Sequence, residues 1–586
     1  MKIKNNVIKR ILTLIVSTSI FVACESTDLD LTQDPNFLSP SEASADLFLN
    51  AIQVDFGKVV NEFGEETAEV VRMKYMNGRN YQNAYEPTDF DIEWTDIYQQ
   101  VLQDIDQMNV IAEEGELYTH LAIGQIIEAY TMIMLVDFFG DVPYSEALQG
   151  DEFNFNPVLD GGASIYEDVL VLLDDAIANL ALDEALPPGT DLFYNGDEGN
   201  WERLANTIKM KIYLNRRLVD DNAITSFFNI VNNEPYIQTT DQDFEFQYGT
   251  SQTNPDTRHQ WYVDQYTPSG AGGHYMSNWL MDYMMGKDDA RMLYYFYRQA
   301  SEVPVDEQLI TCSVEPAPPH YVLGDEVYCS LPDGYWGRDH GNDAGGPPDS
   351  QSRTAFGVYP AGGLYDQGLI NDNPEAFAVI NSVEMGGLGA GITPMLLASG
   401  VDFMIAEMQL LQGNTAEARA KILEGIQKSF TKVRSFGALD PDYDETDMFY
   451  EYEDEDGESL LSEEPLGGDT LTLISYPTYL SPSESDESYL AQVGALFDGA
   501  DDQGKMNLLA KELFVVLFGN GMEAYNFYRR TGEPNDIQPN IDPNPGAFIR
   551  SFVYPANAAL RNSNFPQNKQ VSTKVFWDTN PDNFVF

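Results

Sequence analysis

The chain has 586 residues, of which 94 are acidic and 32 are lysine or arginine, so its formal net charge is -62 at pH 7. A charge of that sign repels phosphate backbones and anionic lipids, which argues against nucleic-acid binding. The hydrophobic content of 43% and the aromatic content of 12% are typical of a globular protein with a large core.

The first residues have the pattern of a bacterial lipoprotein signal. An uncharged stretch over 11–23 leads to Cys24 and follows four basic residues, which are Lys2, Lys4, Lys9 and Arg10. The stretch is too short to span a bilayer and has the length of a signal core. We therefore predict a signal peptide over 1–23, an acylated Cys24 that holds the protein on a membrane, and an acidic tether over 24–40. The alternative is an ordinary cleaved signal with an unmodified Cys24.

Helical periodicity dominates the remainder of the chain. Apolar residues spaced by three and four predict a helix from Trp94 to Met108 and, after Gly115, a second from Tyr118 to Val136. The same pattern predicts helices over 164–180, 200–218, 401–411, 415–430, 487–496 and 505–528. These segments resemble four degenerate tetratricopeptide helix pairs, but no fixed period spans the chain. The predicted fold is thus mainly α, with helix pairs as a scaffold for large insertions.

Two segments interrupt this scaffold. Residues of about 233–397 are rich in glycine, proline and aromatic side chains, and long irregular segments of this kind are usually functional when they are ordered. Residues of about 440–488 are acidic and rich in serine. Asp440, Asp442 and Asp444 imitate a calcium-loop spacing, but Glu445 stands where that loop needs glycine, so a solvated acidic insertion is favoured. We treat 41–586 as a single domain.

Cys312 and Cys329 remain once Cys24 carries lipid, and an exported protein meets an oxidising environment. We predict a disulfide between them, which would stabilise the fold by about 3 kcal/mol in the chain-entropy model. Two buried free thiols are the alternative. The spacing does not suit a cysteine metal site, and no metal or cofactor is expected.

Several motifs, in order along nearly the whole chain, resemble those of SusD/RagB-like outer-membrane lipoproteins of Bacteroidetes. The N-terminal motifs are Trp94-Thr95-Asp96-Ile97-Tyr98, Gly115-Glu116-Leu117 and Phe139-Gly140-Asp141-Val142-Pro143-Tyr144. The later ones are 335–341 (YWGRDHG) with 347–349 (PPD), 357–363 (GVYPAGG) and 519–532 (GNGMEAYNFYRRTG).

The resemblance implies a SusD-like fold and a protein at the cell surface that captures an oligomeric nutrient. The ligand in this family is usually a glycan and sometimes a peptide, and the protein performs no chemistry. It would close as a lid over a SusC-like TonB-dependent transporter in the outer membrane. The acidic run after Cys24 is similar to the signals that send such lipoproteins to the outer face.

Ligand contacts in SusD-like proteins come from the loop before the first tryptophan-containing helix and from the central insertion. Sugar recognition uses flat aromatic surfaces together with a few hydrogen-bonding groups. The corresponding candidates are Asn77, Arg79, Tyr81 and Tyr85 in the loop, and Trp261, Trp279, Tyr335 and Trp336 in the insertion. We predict that at least two of the three tryptophans contact ligand, with Arg79 or Asn77 bonding its edge. The alternative is that these aromatic side chains only pack the insertion against the helices.

Two other functions remain open at this point. The stretch Arg338-Asp339-His340-Gly341-Asn342-Asp343 could supply a general base, but a hydrogen-bonded loop explains it better because no motif completes a catalytic site. A helical surface glycoside hydrolase is the rival hypothesis, since acidic residues abound. A helix-repeat assembly protein that binds no small ligand is the third.

Overall fold

Helices form most of the structure, a computed structural model that describes residues 44–184, 186–268, 274–303, 305, 311–324, 326–343, 351–367, 378–443, 450–453, 459–462, 472–475 and 482–585. The predicted signal peptide, the acylation of Cys24 and the tether over 24–40 lie outside these residues.

The N-terminal helices are α1 (Ala45–Val70), α2 (Asp91–Asp96), α3 (Gln103–Gly115), α4 (Tyr118–Phe139), α5 (Gly162–Leu180), α6 (Glu198–Arg216) and α7 (Ala223–Asn233). The insertion carries the short helices α8 (Gln260–Gln265), α9 (Asn278–Met285), α10 (Met292–Tyr295) and α11 (Pro319–Gly324). The C-terminal helices are α12 (Ala398–Leu411), α13 (Thr415–Ser435), α14 (Pro482–Gly499), α15 (Asp502–Val516), α16 (Gly521–Thr531) and α17 (Ala556–Arg561). A π-helical segment, Ile97–Leu102, joins α2 to α3.

The four predicted helix pairs are confirmed, because α3 packs on α4, α5 on α6, α12 on α13 and α14 on α15. One predicted helix is wrong. The segment 505–528 is not continuous but is divided between α15 and α16, since Gly519 has a φ of +103° and turns the chain. Gly521 then approaches α1 so closely that a Cβ there would lie 2.1 Å from the backbone nitrogen of Ala68.

The sequence analysis also did not identify α1. This helix buries Leu49, Ile52, Phe56 and Phe63, which are at most 1% exposed, and it packs against α3, α4 and α16. It therefore lies at the centre of the scaffold, and the chain that leaves its C-terminal end passes directly into the region of the candidate site.

Helix α4 is the core of the N-terminal half. Among the described residues it is the single helix that is long and apolar enough to cross a membrane, but 89% of its apolar window is buried inside the protein. Such burial identifies α4 as a core helix of a folded domain.

Asp137 near the end of α4 is fully buried and accepts hydrogen bonds from five side chains in four segments of the chain. The donors are Tyr166, Lys211, Asn215, Asn526 and Trp577, at distances of 2.5, 3.1, 3.2, 2.8 and 2.8 Å. A buried carboxylate is tolerated when it is paired and hydrogen-bonded in this way, so Asp137 joins the two halves of the scaffold.

Short strands pair with one another within the two insertions. Strand β1 (Phe244–Gln247) pairs antiparallel with β4 (Ile392–Leu396), and β2 (Phe296–Tyr297) pairs with β3 (Ala355–Phe356). In the acidic insertion, β5 (Tyr450–Glu453) lies between β6 (Ser459–Ser462) and β7 (Thr472–Ser475). The short helices α8 and α9 carry Trp261 and Trp279, two candidates that the sequence analysis placed outside helices.

Cys312 and Cys329 form a disulfide with their Cα atoms 5.6 Å apart. The cross-link closes a loop that contains α11 and ends beside the Trp336 ring, which packs against Cys329. The disulfide therefore holds the two ends of this loop together beside Trp336.

Candidate functional site

Three segments from distant parts of the sequence, around positions 74, 276 and 338, lie side by side beyond the C-terminal end of α1. Lys74 forms an antiparallel β-bridge with Met276, and Ser277 forms a parallel bridge with Arg338. Glycine is required at position 337, because a Cβ there would lie 2.2 Å from the carbonyl oxygen of Met276. The loop before the first tryptophan-containing helix therefore contacts the central insertion directly.

The turn out of α1 is held by Arg72, whose backbone φ of +64° is unusual for a residue with a side chain. Its buried guanidinium donates hydrogen bonds to the carbonyl oxygens of Gln538 and Val70 and to the Tyr81 hydroxyl, at 2.8–2.9 Å. These bonds fix the direction in which the chain enters the site.

Two tyrosines and two arginines form the floor of the site, and we call Tyr75, Tyr275, Arg338 and Arg353 the tyrosine–arginine cluster. The Tyr75 and Tyr275 ring centroids are 5.7 Å apart with the planes at 76°. The Arg338 guanidinium carbon lies 4.1 Å from the Tyr275 centroid, and that of Arg353 lies 5.0 Å from the same ring. Such cation–π contacts hold planar side chains in a defined orientation.

Hydrogen bonds orient the two phenol groups. Arg338 donates to the hydroxyl of Tyr75 at 3.3 Å and to that of Tyr275 at 3.4 Å. The Tyr75 hydroxyl also lies 3.2 Å from the side-chain oxygen of Asn77 and contacts the carbonyl of Asn342. Burial raises the pKa of Tyr75, and Arg338 offsets part of this effect, so the phenol stays protonated at neutral pH.

The rim of the site is polar and open to solvent. Asn77, Arg79 and Asp343 are exposed, and Arg79 forms an ion pair with Asp343 in which the two side chains are 52% and 48% exposed. The rim thus presents amide, guanidinium and carboxylate groups beside the buried tyrosine–arginine cluster. This combination can hydrogen-bond hydroxyl or amide groups of a bound molecule.

Glu65 is the centre of a group of charged side chains next to the tyrosine–arginine cluster. Its carboxylate contacts buried Lys74, lies 2.9 Å from His274 Nδ1 and accepts a 2.7 Å hydrogen bond from the Trp261 indole. Burial opposes the ionisation of Glu65, but Lys74 and His274 outweigh it and hold its pKa well below the ordinary value. Burial and Lys74 disfavour a charged His274, while Glu65 and Asp264 outweigh them and raise its pKa.

Residues 36–308 match a family model, SusD-like_2, described as starch-binding and associating with the outer membrane. Solved structures share the fold along nearly the whole chain. A chitin-binding protein is 17% identical over 92% of this chain and 100% of its own, with a TM-score of 0.61. A SusD/RagB family protein from Bacteroides thetaiotaomicron is 16% identical over 92% and 100%, with a TM-score of 0.60.

The chain therefore resembles SusD/RagB-like proteins, in sequence over residues 36–308 and in fold over nearly its whole length. A chitin-binding SusD homologue from Flavobacterium johnsoniae is 18% identical over 92% of this chain and 98% of its own, with a TM-score of 0.58. No curated protein sequence matches the chain. At these identities the solved structures establish the mainly α, SusD-like fold of the protein.

Of the loop candidates, Asn77 and Arg79 lie at the rim, whereas Tyr81 and Tyr85 are buried. The Tyr81 hydroxyl lies 3.1 Å from His340 Nε2 and accepts from Arg72. The Tyr85 hydroxyl donates a 2.9 Å hydrogen bond to Glu69. Both rings pack into the core, so their position supports a structural function.

The insertion candidates are also covered by protein. Trp261 and Trp336 are 1% and 2% exposed, Trp279 is 6% exposed, and Tyr335 is 1% exposed. Trp261 stacks on Phe356 at 4.3 Å, and Trp279 stacks on Tyr283 in α9. A sugar-stacking platform needs an open ring face, so these positions do not fit the prediction that two of the tryptophans contact ligand, and they fit the alternative that the rings pack the insertion.

The stretch from Arg338 to Asp343 is likewise engaged in structure. Asp339 is fully buried and accepts hydrogen bonds of 2.9 Å from Asn278, Gln538 and the Cys329 backbone. Burial and Arg72 hold the pKa of His340 well below its ordinary value, so the imidazole is neutral. Among the described residues, no group of three or more His, Cys, Asp or Glu side chains is arranged to hold a metal ion.

Tyr75, Tyr275 and Arg353 were missed in the sequence. Tyr75 lies two residues before the candidate Asn77, and Tyr275 follows the glycine-rich run that ends at His274. Their positions next to a candidate residue and to a glycine-rich run could therefore have identified Tyr75 and Tyr275 as candidates. The sequence did not show that these side chains lie close together, because their contact depends on pairing between residues about 200 positions apart.

Proposed function

We propose that the protein is a cell-surface lipoprotein that captures an oligomeric nutrient, a glycan, and delivers it to a SusC-like TonB-dependent transporter in the outer membrane. The family description names starch binding and the outer membrane, and two of the similar structures are named as chitin-binding. These names support a carbohydrate ligand for this chain. A peptide is the other ligand class to be tested.

The observation that carries the proposal is the meeting of the α1 loop and the central insertion at the tyrosine–arginine cluster. Sugars present hydroxyl groups at their edges, and a binding site for them needs several oriented donors and acceptors. The rim formed by Asn77, Arg79 and Asp343 offers such groups beside the fixed guanidinium of Arg338. We therefore assign glycan contact to the exposed rim, which the buried tyrosine–arginine cluster supports, instead of to the buried tryptophans.

Binding without chemistry agrees with the groups at the rim. Glycoside hydrolysis uses two carboxyl groups that flank the scissile bond. The carboxylate at the described rim is Asp343, and it is engaged by Arg79. Release of shortened products from labelled oligosaccharides by the purified protein would contradict this part of the proposal.

Glycan binding is tested by isothermal titration calorimetry with chitin-derived and starch-derived oligosaccharides and with a matched set of oligopeptides. We expect saturable binding of one oligosaccharide class, and the Arg79→Ala variant should bind it about tenfold more weakly. Because exposed ion pairs add little stability, the melting temperature of this variant should hardly change. Lys209→Ala, which removes a comparable surface ion pair with Asp174 on the scaffold, is the control.

The anchor and the transporter need separate tests. Labelling of growing cells with a palmitate analogue should mark the wild type but not Cys24→Ala, and equal labelling would refute lipidation at this position. A pulldown from native membranes should recover a large β-barrel protein. Recovery of no such partner would remove the transporter from the proposal and leave the glycan-binding test unaffected.

A further inference from the structure

A cavity lined largely by acidic side chains lies beside α1 and shares no residue with the tyrosine–arginine cluster. Helix α1 presents Glu62, Glu65, Glu66 and Glu69 at spacings of three, one and three, which places them on neighbouring parts of one face. Three of them, Glu62, Glu65 and Glu66, line a cavity of about 80 Å³. Its other lining residues are Phe63, Phe90 and Glu93. We call this cavity the carboxylate pocket.

The cations near the carboxylate pocket are committed to other acids. Lys74 and His274 bind Glu65, as described above. Lys58 lies 2.8 Å from Asp96 and 3.9 Å from Glu62, so it engages Asp96 more closely. Among the described residues, Glu66 and Glu93 therefore form no ion pair of their own.

Three carboxylate oxygens in the pocket lack partners. The Oε2 atoms of Glu62, Glu66 and Glu93 are buried and have no hydrogen-bond partner within the described structure. Glu66 as a whole is half-buried, but its Oε2 atom is covered by protein. A buried charged oxygen without a partner is costly, and natural proteins usually satisfy such atoms with a ligand or water.

The raised pKa values of Glu62 and Glu66 agree with the lack of a cation close to these carboxyl groups. Burial raises the pKa of Glu62 to about 7, and Glu93 and Asp96 add to the effect against the opposing influence of Lys58. Burial, with repulsion from Glu69 and Glu65, raises the pKa of Glu66 well above its ordinary value despite Lys74. A bound cation would relieve the repulsion between these groups.

The kind of cation can be narrowed by geometry. A metal ion needs its oxygen ligands to converge at 2.0–2.6 Å from one point, as is typical of magnesium and calcium. No described group of acidic or histidine side chains meets this requirement. An ammonium group instead donates three separate hydrogen bonds of about 2.9 Å, and the carbon atoms attached to it can contact the Phe63 and Phe90 rings.

We propose that the carboxylate pocket binds a protonated amino group of an organic ligand, with Glu62, Glu66 and Glu93 accepting its N–H hydrogen bonds. An amino sugar and a lysine side chain both carry this group. The proposal is independent of glycan binding at the tyrosine–arginine cluster, because the two sites share no residues.

The test is calorimetric titration of the Arg79→Ala variant, in which glycan binding at the rim is weakened, at pH 7 with two pairs of probes. One pair is a glucosamine trimer and its N-acetylated form, and the other is trilysine and its Nε-acetylated form. Binding of an amine should be at least about tenfold tighter than that of its acetylated partner, since acetylation removes the charge. The pair that shows this difference identifies the source of the amino group.

The strongly acidic surface attracts any cation, so titrations are repeated at about 0.5 M salt, where such attraction is screened. Glu66→Gln should weaken amine binding about tenfold, because hydrogen bonds to charged groups are the stronger ones. The matched control Glu114→Gln changes an exposed acid at the end of α3 and should leave binding unchanged. Glu93→Gln tests the opposite wall of the pocket if Glu66→Gln does not fold.

Equal affinity for amines and their acetylated forms would overturn the proposal. Full binding by both Glu66→Gln and Glu93→Gln would also overturn it, as would calcium binding that these variants abolish in a protein that ignores amines. Loss of glycan binding in the Arg79→Ala variant has no bearing on these outcomes, so failure of one proposal is distinguishable from failure of the other.

Discussion

The guanidinium carbon of Arg338 lies 4.1 Å from the centre of the Tyr275 ring, and both of its terminal nitrogens donate to tyrosine hydroxyls. A planar, delocalised cation can stack on a ring and donate in two directions at once, which a lysine cannot do. The arrangement of Tyr75 and Tyr275 therefore depends on arginine at this position.

The Arg338→Lys variant tests this dependence. It keeps the charge but loses the stacking and one of the two hydrogen bonds, so we expect oligosaccharide affinity to fall about tenfold. Calorimetry measures the affinity, and the melting temperature should fall only slightly. Unchanged affinity in a folded variant would show that the floor of the site does not orient the ligand.

Trp261→Ala should behave as a core mutation. The indole is 1% exposed, stacks on Phe356 and donates a hydrogen bond to Glu65. Its removal should lower the free energy of unfolding by about 3–5 kcal/mol, as measured by urea denaturation. A variant of wild-type stability that loses ligand binding would instead restore the original prediction of a tryptophan contact.

The carboxylate pocket should make stability depend on pH. The folded-state pKa of Glu62 is raised to about 7 from an ordinary 4.5, so between these values the folded protein binds more protons than the unfolded chain. Stability therefore falls as the pH rises through this window. The stability of Glu62→Gln relative to the wild type should increase between pH 5.5 and pH 8, as followed by thermal melts.

Glu114→Gln provides the comparison for this pH series, because Glu114 is exposed on α3 and away from the pocket. Its melting temperature should run parallel to that of the wild type. A constant difference between Glu62→Gln and the wild type across the range would contradict the assigned direction.

The disulfide should contribute to stability through the unfolded chain. Cys312 and Cys329 are separated by 17 positions, and a loop of that length corresponds to about 3 kcal/mol in the chain-entropy model. The double variant Cys312→Ser, Cys329→Ser should show this loss in denaturant, while the reduced wild type should show a similar one. No difference between oxidised and reduced protein would contradict the expectation.

The sequence predicted the scaffold where one apolar stripe was enough. The pairs α5–α6 and α12–α13 follow from spacing and from breakers such as Gly413. Helix α1 carried the same signal in Leu49, Ile52 and Phe56 but was not identified. The division between α15 and α16 could not be read from periodicity, because it results from the close approach of Gly521 to another helix.

The site was less predictable, because composition identifies aromatic residues but not what covers them. Trp261 is removed from solvent by Phe356, and Trp336 by the disulfide at Cys329. Asn77 and Arg79, which are exposed at the rim, were predicted because the family resemblance points to the loop before the first tryptophan-containing helix. Burial of a ring is a tertiary property, and one sequence does not contain it.

The environment of Asp137 has a consequence for how the chain matures. Two of the donors that satisfy this buried carboxylate, Asn526 and Trp577, are synthesised several hundred residues after Asp137. A nascent chain without them holds an incompletely paired charge in its central helix, which disfavours stable folding of the N-terminal half by itself. Truncation before Trp577 should consequently yield a protease-sensitive product.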